Sequence, residues 1–141
     1  MSAQAMAIFL RAVALVETGG NAAAVGRHGE RGEFAMIPAV VATCGGYGQH
    51  EAEKHARWLE RQLLAEGISA QPFNLALAWN AGFTAVRQGR APVASYDYAV
   101  RVRNLYTALE RERETLPARP VAPVVFGLMP AKRPTGRTVL Q

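Results

Sequence analysis

The sequence predicts a mainly α-helical domain with a loop-rich insert after its first helix and a proline-rich tail. Three observations carry this expectation. Apolar residues recur at helical spacing in four separate stretches, no alternation of strands with helices can be read, and glycine and proline punctuate the stretches where helices should start and stop.

The first helix spans roughly Ala3 to Thr18, with Ala5, Ile8, Phe9, Ala12, Leu15 and Val16 recurring along it. Gly19 and Gly20 supply the left-handed or open backbone that ends a helix. From Asn21 to Gly48 the chain is glycine-rich and holds one apolar piece, Phe34 to Ala42, readable as a helix after Pro38 or as a brief extended segment. The second long helix runs from about His50 to Glu66. Ala52, Ala56, Leu59, Leu63 and Leu64 lie on one side, charged residues form a solvated opposite face, and Gly67 stops it. The third begins near Pro72, a residue tolerated in a first helical turn, and carries Leu75, Ala76, Ala78, Trp79 and Ala81 up to an interruption at Gly82. The fourth is expected to start after Ser95-Tyr96-Asp97, with Ser95 or Asp97 as cap, and to fray within 110–114. Beyond Leu116 five of the eight prolines fall within 25 residues, which disfavours helix and divides the chain into a domain at 1–115 and a basic tail at 116–141.

Composition bounds the function. At 141 residues the chain is long enough to bury a core without staples. One cysteine, Cys44, forbids an internal disulfide, and three scattered histidines offer no zinc spacing, so neither metal nor cofactor is expected. The net charge of +5 divides unevenly. Arg119, Lys132, Arg133 and Arg137 sit in the tail with no acid, leaving 12 basic against 11 acidic residues in the body. A near-neutral body argues against nucleic acid as partner, whereas the positive balance suits an anionic polymer such as cell-wall material or an anionic membrane surface. No run of about 18 apolar residues exists, so no membrane span is expected. The N-terminus lacks the basic n-region of a leader, so any export signal is expected to be absent from this chain or replaced by another route.

The residue with the most chemistry in it is Glu17, in the last turn of the first helix. An apolar stripe beside it and the negative end of the helix dipole both oppose ionisation. A carboxyl that holds its proton near neutral pH is what general-acid cleavage of a glycosidic bond requires. The plain alternative is a solvated glutamate at a frayed end. Trp79 reads first as a core anchor, and Asn80, an amide within an apolar run, is open between a ligand contact and a satisfied structural bond.

Four blocks then line up with a known family. Glu17-Thr18-Gly19-Gly20-Asn21 resembles the Glu-Ser-Gly-Phe-Asn start of the lytic transglycosylase and goose-type lysozyme motif. The run from Gly29 to Pro38, Gly-Glu-Arg-Gly-Glu-Phe-Ala-Met-Ile-Pro, resembles that family's Gly-Ala-x-Gly-Leu-Met-Gln-Leu-Met-Pro. Leu77-Ala78-Trp79-Asn80-Ala81-Gly82 is similar to its Ala-Tyr-Asn-Ala-Gly block, and Tyr98-Ala99-Val100-Arg101-Val102 to its tyrosine-led final helix. The blocks occur in the family's order and cover roughly residues 5 to 110.

The resemblance implies a lysozyme-like fold with a sugar groove, and peptidoglycan glycan strands as the substrate. It implies that Glu17 protonates the β-1,4 bond between MurNAc and GlcNAc, as a transglycosylase or a lysozyme-type muramidase. Thr18, Met36, Asn80 and Tyr98 would line or bind the saccharide. It further implies an extracytoplasmic location, or association with a phage or secretion machine, and leaves the tail as a contact for an envelope partner. The sequence departs from the family at Ala35, where the family has glutamine, and at Glu33 and Phe34, where it has leucine and methionine. Glu33 thus stands as a second candidate catalytic carboxylate that would position a water, or as a surface residue on a turn. The missing glutamine keeps open a non-catalytic peptidoglycan-binding module.

Overall fold

A computed structural model describes residues 1–116, and the proline-rich tail, for which a partner contact is expected from the sequence, lies outside the described residues. The chain forms α1 (Ala3–Thr18), α2 (Pro38–Cys44), α3 (Gln49–Ala65), α4 (Pro72–Ala81), α5 (Phe83–Arg87) and α6 (Val93–Thr115). The fold is mainly α, with two isolated β-bridges and no strand among the described residues. None of the described helices is long and apolar enough to cross a membrane.

At the centre lies α4, where four consecutive residues, Leu75, Ala76, Leu77 and Ala78, are buried. A helix apolar on every side must be covered on every side. Accordingly α6 and α3 pack against it, while α1 packs on α6 and α3. Met6, Phe9, Leu10 and Val13 of α1 join Leu59 and Leu63 of α3 and Val102 of α6 in one core. Each fully buried large side chain there contributes about 1.5–3 kcal/mol of transfer free energy.

The ends of α1 follow from single residues. Ser2 caps its start by accepting from the amide of Ala5 at 3.0 Å. Gly19, at φ +68°, closes its end, with its amide bonded to the Leu15 carbonyl and that of Gly20 to the Ala14 carbonyl. This doubled bonding to the last carbonyls is a glycine-terminated Schellman stop. Glu17 is thereby fixed in the final turn, as its sequence predicts.

The loop after α1 is tightly bonded although it contains no strand. Arg31 and Met36 exchange both backbone hydrogen bonds at 3.0 Å, and Val25 bridges to Arg31 on the other side. The reversal between Arg31 and Met36 needs two positive φ angles, at Gly32 (79°) and at Ala35 (48°). A Cβ on Gly32 would lie 2.9 Å from the Tyr47 carbonyl, so glycine is required there. The reversal drives Phe34 into the core at 1% exposure. After Pro38 the apolar piece resolves as the helix α2 rather than as an extended segment.

Both boundaries of the last helix differ from expectation. α6 starts at Val93, after Pro92, so Ser95 and Asp97 lie inside it and cap nothing. Pro92, its φ fixed at −62° by the ring, stands extended through its ψ of 155° just before the first turn. At the other end the helix runs through 110–114 to Thr115, because Glu and Arg are strong helix formers.

Candidate active-site groove

An open groove of about 920 Å³ runs between the end of α1, the bonded loop and the α4–α5 junction. Glu17, Thr18, Met36 and Asn80 line it, and Tyr98 stands behind Glu17. Residues 81 positions apart in sequence are joined here. The Tyr98 hydroxyl donates to Oε2 of Glu17 at 2.8 Å.

Glu17 is half-buried, and burial is the main reason its carboxyl is held above the usual carboxylate range. The Tyr98 hydrogen bond and the positive charge of Arg101 pull the other way, and the negative charge of Glu30 adds to the rise. Tyr98 is 4% exposed, and burial, then the neighbouring Glu17, push its hydroxyl far above the ordinary tyrosine range. It therefore keeps its proton and serves only as a donor to Glu17. The Arg101 guanidinium lies 5.9 Å from the centre of the Tyr98 ring, which sets that charge at the back of the site.

The other residues singled out from the sequence take different places. Thr18 donates to the Glu33 carbonyl at 2.8 Å and accepts from the Asn21 amide at 3.0 Å, so its hydroxyl ties α1 to the loop. Met36 is 2% exposed and forms part of the groove floor. Asn80 is exposed on the groove rather than buried among its apolar neighbours, and its Oδ1 accepts from the Ser95 hydroxyl at 2.7 Å. Glu33 is half-buried and is not among the residues lining the groove; its backbone carbonyl, not its carboxylate, enters the bonding described. The second groove carboxylate is instead Glu30, which also accepts from the His28 amide at 3.1 Å. Ala35, where the resembled family has glutamine, lines the groove.

Pattern reading overlooked one wall of this groove. Trp58 of α3, 43% exposed, stacks on His55 with ring centres 6.0 Å apart and planes 12° from parallel. His55 meets Trp79 edge-on at 5.1 Å, and Trp58 meets Phe83 at 6.3 Å. All four rings face the groove. Trp79 is thus both a core contact and a groove residue. Burial holds His55 below the ordinary histidine range, so its ring is neutral at pH 7.

Among the described residues no group of three His, Cys, Asp or Glu side chains could hold a metal ion. The chemistry these groups can perform is proton transfer by one carboxyl against an aromatic-walled, partly dry surface. No family model, curated protein or solved structure matches the chain, so its chemical reading rests on the groove itself.

Proposed function

We propose that the protein cleaves the glycan strands of peptidoglycan, with Glu17 as general acid and then general base. The observation that carries this reading is the 2.8 Å bond from Tyr98 to Glu17 within an open groove, around a carboxyl whose burial favours the protonated form. Tyr98 occupies Oε2, which leaves Oε1 to hold the proton that the glycosidic oxygen receives. As the bond breaks, the same oxygen takes the proton of the sugar's own 6-hydroxyl while that hydroxyl attacks the anomeric carbon. The products are an anhydro sugar and a free 4-hydroxyl, and no water is consumed.

This route needs one carboxylate, unlike the two-carboxylate scheme of most glycoside hydrolysis. Glu30 lines the same groove, so a water activated near it would give the hydrolytic product instead. Aromatic rings such as those of Trp58 and Phe83 suit the apolar faces of sugar rings, which supports a saccharide as ligand. The resemblance of the four sequence blocks supports a lysozyme-like fold around this groove and an extracytoplasmic or machine-associated site of action.

The test is muropeptide release from purified sacculi, read by mass spectrometry. Anhydro products, smaller by one water than reducing-end products, identify the transglycosylase route. Glu17→Gln is expected to reduce release by about 10²–10⁴-fold while circular dichroism stays unchanged. Undiminished release by that variant would end the assignment.

A further inference from the structure

Next to the groove, α2 and the His50–Arg61 stretch of α3 line a second cavity of about 740 Å³. The two share Val40, His55 and Trp58, so the exposed indole of Trp58 is a common edge. The sequence suggests only a solvated helix face here, but the ion pairs divide that face unevenly.

Arg57 is engaged by Glu60 at 2.9 Å and faces Glu53 at 3.9 Å, and Glu60 also pairs with the Met1 ammonium. Those two acids and two cations cancel. Lys54 and Arg61 remain, both exposed and outside every ion pair among the described residues. Both line the second cavity, beside an apolar patch of Ala39 and Val40 from α2.

Lys54, Trp58 and Arg61 follow the four-and-three spacing that sets residues on one helix face. Seven residues at 1.5 Å each put the two cations about 10 Å apart along the axis. About three residues of extended peptide span that distance.

We propose that this cavity binds an acidic peptide substituent borne by the sugar strand in the groove, with Lys54 and Arg61 each facing a carboxylate. The inference rests on the glycan-cleaving reading for the polymer's identity. The choice of occupant rests on charge complementarity and on the cavity's continuity with the groove. A free peptide would have no reason to enter at the Trp58 edge, whereas a side branch of a strand lying in the groove must leave the groove somewhere.

The experiment compares co-sedimentation of the protein with intact sacculi and with sacculi stripped of peptide by an amidase. The wild type is expected to bind intact material about tenfold more tightly at low salt, a preference that shrinks as salt screens exposed charges. Lys54→Ala/Arg61→Ala should abolish the preference, and Lys54→Glu/Arg61→Glu should reverse it. Both positions are exposed, so folding is checked by unchanged melting. Equal binding of the two materials by the wild type, or an undiminished preference in the alanine variant, overturns the proposal. Preferential binding without any strand cleavage would sink the catalytic reading and leave this site standing. Cleavage without preference would do the opposite.

Discussion

Replacing Tyr98 by Phe removes one hydroxyl and little else, because the ring is 4% exposed and keeps its packing. What is lost is the 2.8 Å bond to Oε2 of Glu17. A hydrogen bond to an ionised acceptor contributes about 1.5–3 kcal/mol, and one between neutral groups about 0.5–1.5 kcal/mol. Water reaches the half-buried carboxylate and replaces part of the bond, so the lower end of the first range, about 1.5 kcal/mol, applies above the titration of Glu17. Below it the loss should fall to about 0.5 kcal/mol. The sign follows from linkage. Glu17 binds its proton more tightly folded than unfolded, so its contribution to stability is complete below the unfolded carboxyl's range and is lost as pH rises through the folded value. Removing the bond that favours the ionised form raises the folded value further and deepens that loss. Urea denaturation of both proteins at pH 4 and pH 8 measures the difference. The pH profile of muropeptide release should show its alkaline limb moved upward in Tyr98→Phe. Equal destabilisation at both pH values, with an unmoved limb, would refute the coupling of these two residues.

Further outcomes follow from other contacts. Glu33→Gln should leave muropeptide release within about twofold of wild type, since its side chain does not line the groove; a larger loss would restore its catalytic candidacy. Ala35→Gly should raise stability by up to about 1 kcal/mol in urea denaturation, because an L-residue at φ 48° carries strain that glycine does not. Asn80→Ala should cost about 1 kcal/mol by leaving the buried Ser95 hydroxyl without its partner, and adding Ser95→Ala should cost less than the sum of the single changes in a double-mutant cycle.

Most of the helical frame was legible because its punctuation is local. Gly19 and Gly20 stop α1, Pro72 opens α4 and Gly82 breaks it, each through backbone geometry that needs no tertiary information. Ser95 misled for a related reason: a serine near a helix start reads as a cap, yet here its hydroxyl serves Asn80 on a neighbouring helix. The seat of Glu17 could be read from one segment, but its bond to Tyr98 joins two helix ends that only packing brings together. Glu30 lines the groove and Glu33 does not, an outcome that depends on the backbone-bonded reversal at Arg31–Met36, which no helical or strand period describes. Trp58 and His55 were hidden because they sit in a charge-dense helix whose polar side looks merely solvated. The groove wall exists only once α4 and α5 bring Trp79 and Phe83 against them.

The Schellman stop at Gly19 also dictates where this chain tolerates a change of length. A helix turns about 100° per residue, so one residue added between the buried Val13 and Glu17 would swing the carboxyl a quarter-turn or more away from α6. Insertions ahead of Ser2 leave that phase unchanged, since the frame from Met6 onward is held by the core, and cost instead the pairing of the Met1 ammonium with Glu60. Across any set of length variants, the spacing from Val13 to Glu17 should therefore stay constant.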